Sequence, residues 1–288
     1  MIPEDPARAR RPAKQRRILV AEDNAMNQKL ILRQLTLLGF DADIAADGCE
    51  ALASWQGGHY GLLLCDLHMP RMDGFELAMA IRAAEQIHSG QGLRTPIIAL
   101  TASAPREESD RCIAAGMDGY LGKPLQLAEL KALLQDWLPD VADTLPALSA
   151  DAWPARDDAS VDVSVLQALI GPDPETNRKL QRQFQASAAE IASKLGRYCL
   201  GGESRLASEQ AHKLCSAARA VGALALGALC AELETAGKEN DAAALARLWI
   251  LFERELQAVN SFLDTLPRPP PEGSRNDGAA AGSIGVGS

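Results

Sequence analysis

Four short apolar runs, each closed by an oxygen- or ammonium-bearing residue, limit the first half of this chain more than any other feature. They are Ile18-Leu19-Val20-Ala21 before Glu22-Asp23, Leu62-Leu63-Leu64-Cys65 before Asp66, Ile97-Ile98-Ala99-Leu100 before Thr101, and Tyr120-Leu121-Gly122 before Lys123-Pro124. Such runs, bounded by turn residues, read as strands covered on both faces, as in parallel sheets. Amphipathic stretches alternate with them at 25–38 (carrying Met26, Leu30 and Leu37 and stopped by Gly39), 48–56, 73–85, 106–115 and 126–137. With a further strand at 42–46, residues 17–138 predict a doubly wound (βα)5 domain, and 85–94 an elongated surface loop.

In open α/β sheets, sites form beyond the carboxyl ends of the strands, where all four closing residues would meet. An ionised Asp66 can attack phosphorus to give an acyl phosphate, but its charge repels a phosphoryl donor. Mg²⁺ relieves that repulsion because it prefers carboxylate oxygens, here Glu22, Asp23 and Asp66, and can bridge to a phosphoryl oxygen. Lys123 brings a mobile positive charge to the phosphoryl group, and Thr101 a hydroxyl donor.

Residues 139–160, rich in Pro, Ala, Asp and Ser, read as a linker that would span roughly 25 Å as a flexible coil. From 161 to 266 the period is helical, with stripes Leu180, Phe184, Ala188, Ile191, Leu195 and Leu245, Leu248, Phe252, Leu256, Val259, Leu263. Stripes stepping by three or four suit an antiparallel bundle, opened by Pro174 and divided at Gly201-Gly202. At 100° per residue, His212 lies about 160° from Leu214. Leu214 should therefore face the core, and His212 should face outward among Ser208, Cys215, Ser216 and Arg219. A neutral imidazole there is a competent phosphorus nucleophile. The remaining ends, 1–16 (basic) and 267–288 (Pro then Gly/Ala/Ser), read as flexible tails.

A net charge of -9 argues against non-specific nucleic-acid binding. Six scattered cysteines without a C-x-x-C pair point to reduced thiols, and no run reaches the ~18 apolar residues of a membrane span. The expectation is a soluble, cytoplasmic protein. No Gly-rich nucleotide loop is evident, so a phosphoryl carrier, not an ATP-dependent kinase, is expected.

Residues 17–138 resemble the receiver domain of two-component response regulators, through Glu22-Asp23, Asp66 with Met69-Pro70-Arg71-Met72-Asp73-Gly74, Thr101-Ala102 and Lys123-Pro124. The resemblance implies a flavodoxin-like fold, Asp66 as phosphoacceptor, the His68 carbonyl as a further Mg²⁺ ligand, and a switch through Thr101 and Tyr120. The run Glu22-Asp23-Asn24-x-x-Asn27 is similar to receivers attached to hybrid kinases. Residues 161–266 resemble histidine phosphotransfer (HPt) four-helix bundles through Ala211-His212-Lys213-Leu214, Arg219, Val221-Gly222-Ala223 and 229–234, which implies phosphohistidine at His212. That family commonly has Lys three and Gly four residues after its histidine; here Cys215 and Ser216 stand there, and Ser216 is expected to crowd a docking receiver. The whole is similar to the C-terminal part of a hybrid sensor histidine kinase of the virulence-sensor type. The implied partners are a histidine kinase donor and the receiver of a downstream regulator, with a homodimer left open. Two alternatives stand beside a relay: a Mg²⁺-dependent phosphatase or phosphate sink, and a phosphorylation-switched scaffold with an inactive bundle.

Overall fold

Alternation along buried strands sends successive side chains to opposite faces, and that rule builds the first domain. Strands β1 (Arg17–Ala21), β2 (Asp41–Ala45), β3 (Leu62–Asp66), β4 (Ile97–Thr101) and β5 (Gly119–Gly122) form one parallel sheet in the order β2-β1-β3-β4-β5. Leu19, Leu63, Cys65 and Ile97 point to one face, against α2 (Gly48–Gly57), α3 (Gly74–Ile87) and α4 (Arg106–Ala114). Ile18, Val20, Leu64 and Ile98 point to the other, against α1 (Ala25–Leu37) and α5 (Leu127–Trp137). This is the flavodoxin-like arrangement, and its crossover between β1 and β3 places the ends of those strands beside an open crevice. The computed structural model describes residues 17–87, 94–101, 106–138 and 160–266, with backbone alone at 106–108. The expected tails (1–16 and 267–288), nearly all of the expected linker (139–160), most of the 85–94 loop, and Ala102 lie outside the described residues.

The second unit is helical. A short helix α6 (Val163–Ile170) precedes four longer ones: α7 (Pro174–Gly201), α8 (Ser204–Ala220), α9 (Leu224–Lys238) and α10 (Ala242–Thr265). Sequence periodicity did not separate α6 from the bundle; Asp162 caps it through Ser164 N, and Gly171 ends it. Pro174 opens α7 behind the Asp173 cap, and Gly202 closes it in the left-handed region. The four long helices enclose Phe184, Leu195, Leu214, Leu226, Phe252 and Val259, all fully buried. Gly237 lets α9 approach α8: a Cβ there would lie 2.6 Å from the Ser204 carbonyl oxygen. No described helix is long and apolar enough to cross a membrane.

The two units are packed together. Met26 and Leu30 of α1 belong to the core of the helical unit and not to the core beneath the sheet. Gln34 Nε2 ties the junction by donating to the Leu125 carbonyl (2.6 Å) and the α6 Leu169 carbonyl (3.1 Å). Burying two apolar side chains and pairing a buried amide favours a defined docked geometry over a tethered pair.

Candidate phosphoryl site

Residues at strand ends inherit their direction from the sheet, and the first site assembles accordingly. Asp66 ends β3 at 3% exposure, Glu22 follows β1 at 0%, and Lys123 follows β5 at 9%. Lys123 Nζ lies 2.7 Å from both Asp66 Oδ2 and Glu22 Oε2. Burial opposes the Lys123 charge, yet the two carboxylates outweigh it and raise its pKa. Burial also pushes Glu22 up, to about 7, with Asp66 adding to the rise and the Lys123 ammonium opposing it. Thr101 is buried at the end of β4, and its carbonyl accepts from Lys123 N at 2.7 Å. Tyr120, on β5, is half exposed. Gly74 is required by crowding, because a Cβ would sit 2.3 Å from the Asp66 carbonyl oxygen.

One carboxylate oxygen from each of Glu22, Asp23 and Asp66 lies within 4.8 Å of the others. Among the described residues, Glu22 Oε2 and Asp23 Oδ2 are buried without an aligned hydrogen-bond donor, and lysine ammoniums approach them at 2.7 Å. Three hard oxygen donors in one pocket fit Mg²⁺.

His212 does not face open solvent as expected. Its side chain is 18% exposed and turned toward the sheet domain, where its ring centroid is 4.9 Å from that of His68, tilted by 50°. A carboxylate oxygen of Asp66 and one imidazole nitrogen each of His68 and His212 fall within 4.8 Å of one another. The expected ledge around His212 is also corrected. Cys215 turns into the bundle, its thiol against the Gly227 carbonyl, and buried Ser208 donates to the Glu234 carbonyl. Helix α9 packs so closely on α8 that these small residues serve the helix contact instead. Ser216 does not crowd the sheet domain: its hydroxyl accepts from Asn27 Nδ2 at 3.0 Å.

Several functional positions carried no sequence prediction of their own. Asn24 Oδ1 caps α1 by accepting from Met26 N, while its Nδ2 donates to the Lys213 carbonyl at 2.6 Å. Lys213 Nζ pairs with Asp23 Oδ2 across the junction at 2.7 Å. Glu234 Oε2 lies 3.1 Å from His212 Nδ1, and its other oxygen accepts from Lys238 at 2.6 Å. Burial disfavours the imidazolium of His212, but the Glu234 hydrogen bond and charge outweigh it and raise the pKa. Burial opposes the Glu234 charge too, and His212 and Lys238 draw that carboxyl down to about 2. With Nδ1 committed to Glu234, Nε2 is the nitrogen left for chemistry.

A carboxylate-rich strand crevice thus lies docked against a histidine-bearing helical bundle. Residues 18–135 match the response regulator receiver domain, and residues 179–262 match the Hpt domain. The chain therefore joins a receiver domain to an Hpt domain, the pairing used in two-component phosphorelay signal transduction. It is 37% identical over 174 residues to the sensor protein EvgS of Escherichia coli (strain K12), covering 60% of this chain and 14% of that protein. It is 32% identical over 213 residues to the virulence sensor protein BvgS of Bordetella pertussis, covering 73% of this chain and 17% of that protein. The chain thus spans less than a fifth of these two hybrid sensor relatives. Among solved structures, the receiver domain of a Pseudomonas aeruginosa PAO1 sensor histidine kinase, with magnesium coordinated in its active-site cleft, shares 40% identity. It covers 43% of this chain and 97% of its own, with a TM-score of 0.39. A Saccharomyces cerevisiae co-crystal of a histidine phosphotransfer protein with a receiver domain gives 29% identity, 48% and 96% coverage, and a TM-score of 0.42.

Proposed function

We propose that this chain carries a phosphoryl group between Asp66 and His212 of the same molecule, receiving it from a partner histidine kinase and delivering it to the receiver of a downstream regulator. The observation that carries this reading is the approach of the His212 imidazole to the Asp66 carboxylate, held by the Asn24, Asn27 and Lys213 contacts across the junction. An Asp66 oxygen attacks the phosphorus of the donor phosphohistidine. The P–N bond breaks, and its electron pair returns to the donor imidazole. The His212 Nε2 lone pair then attacks the same phosphorus, and the P–O bond breaks back to the Asp66 carboxylate. His212 keeps its proton on Nδ1, so the phosphorylated ring is cationic and the Glu234 carboxylate offsets that charge.

Glu22, Asp23 and Asp66, with the His68 carbonyl, would hold Mg²⁺, which when bound neutralises charge on the phosphoryl oxygens. Lys123 would swing its ammonium from Glu22 and Asp66 to the phosphoryl group, and the Thr101 hydroxyl would donate to it. Tyr120 would repack as Thr101 moves, a local charge change biasing a two-state face. The chain acts as a carrier in this scheme and takes its phosphate from elsewhere. A scaffold reading leaves the Asp66–His212 approach without a role. Cytoplasmic action belongs to the same reading and suits six free cysteines.

The test is complementation. Wild-type chain, treated with acetyl phosphate, should label His212 at a rate independent of protein concentration. A mixture of Asp66→Asn and His212→Gln chains should label it slowly and in proportion to concentration. Equal rates in dilute wild type and mixture would refute transfer within one chain, and no label on His212 would refute the relay.

A further inference from the structure

Asp66 belongs to two ligand clusters of different chemistry. With Glu22 and Asp23 it forms an all-oxygen set, suited to a hard cation; with His68 and His212 it forms a mixed nitrogen and oxygen set. The second set draws ligands from both domains and exists only while they are docked. We propose that it is a Zn²⁺ site bridging the domains, and that the bound ion clamps the junction and blocks both phosphoryl-accepting atoms.

Four features support this. First, the donors are two imidazoles and a carboxylate, a set that suits Zn²⁺ and leaves a fourth position open. Second, the outer partner is already present: Glu234 holds His212 Nδ1 at 3.1 Å and is itself anchored by Lys238. That fixes the tautomer and directs the basic Nε2 away from α9, the arrangement seen around metal-bound histidines. Third, the 50° tilt between the rings keeps the two imidazoles from lying flat on one another, so a nitrogen of each can turn to a shared point. Fourth, His68 is exposed and gives an ion a way in. Lys123 occupies Asp66 Oδ2 and not Oδ1, which instead accepts from His68 N at 3.3 Å. Zn–N bonds of about 2.0–2.1 Å put tetrahedral ligands about 3.3 Å apart. Closing from within 4.8 Å takes side-chain rotation and no movement of the domains.

The ion would sit on Nε2 of His212 and an oxygen of Asp66, the two atoms that phosphoryl transfer needs. Zn²⁺ binding and phosphorylation therefore exclude each other, and by linkage each weakens the other equally. The inference rests on the docked geometry and not on phosphoryl transfer itself.

The experiment titrates Zn²⁺, and Co²⁺ as its coloured substitute, into the full chain carrying Cys49→Ser to remove the exposed thiol. Mg²⁺ is left out, because the oxygen cluster shares Asp66 with the proposed site. Equilibrium dialysis should give one ion per chain, and Co²⁺ should develop a visible band of low-symmetry coordination. His68→Ala and His212→Gln should each weaken binding at least tenfold, and Glu234→Ala by about 10- to 100-fold. Leu30→Ala, which touches no ligand, should weaken it as far as it weakens docking. Circular dichroism verifies the fold of each variant. Binding that survives loss of either histidine overturns the site. A chain that binds Zn²⁺ but moves no phosphate upholds this inference and refutes the relay; the opposite pair of results does the reverse.

Discussion

Leu30 offers the sharpest handle on the junction, because its side chain is 6% exposed and packs in the core of the neighbouring domain. Leu30→Ala removes three carbons from that contact. At ~0.8 kcal/mol for each buried carbon, docking should weaken by about 2.4 kcal/mol, roughly a 50-fold loss of affinity. An unfilled cavity would carry the loss toward the ~2–5 kcal/mol seen for buried Leu→Ala changes. The receiver should not be destabilised to the same degree, since Leu30 lies outside the cluster beneath its sheet. The assay is calorimetric titration of residues 17–138 with residues 160–266, wild type against variant. A shift in Kd of roughly 50-fold or more, with an unaltered receiver melting curve, is expected. A Kd within threefold of wild type would show that α1 does not carry the docking surface.

The other consequences concern single contacts. Gly237→Ala would push a methyl to 2.6 Å from the Ser204 carbonyl and 2.7 Å from Ser208 Cβ; the bundle should lose about 1–3 kcal/mol, read as a lower melting temperature, and an unchanged midpoint would refute the close helix contact. Glu234→Ala removes the carboxylate that supports the phosphorylated ring, and the phosphohistidine level at equilibrium should fall about 10- to 100-fold; an undiminished level would leave Glu234 without its role. Lys213→Ala frees Asp23 Oδ2 from its ammonium, so Mg²⁺ should bind up to about fivefold tighter by calorimetry. Weaker Mg²⁺ binding in that variant would contradict competition for Asp23.

The receiver was legible because its strands are short, apolar and closed by chemistry-bearing residues. Glu22, Asp66 and Lys123 could be placed from their positions at strand ends alone, and the structure brings them within contact distance. The docked junction was not legible, for two reasons. Polar residues such as Asn27, Gln34 and Lys213 resemble any solvated helix face in sequence. Helical phase likewise says which way His212 points, but not that another domain waits there. One signal was present in α1. At 100° per residue, the mean direction of Met26 and Leu30 lies about 140° from that of Ile31 and Leu35. A helix apolar on two faces needs two partners. Glu234 lay in the 229–234 run that carries the HPt resemblance but had no role assigned, since an acidic residue there reads as surface until α9 is placed beside α8.

Transfer from aspartate to histidine is tested most directly by phosphorus NMR of the intact chain with acetyl phosphate and Mg²⁺. The expected spectrum shows a phosphohistidine resonance that appears in wild type, is absent from both Asp66→Asn and His212→Gln, and survives base but not acid. A phosphohistidine resonance of full strength in Asp66→Asn, or an acyl phosphate that decays in wild type with none ever formed, would contradict it.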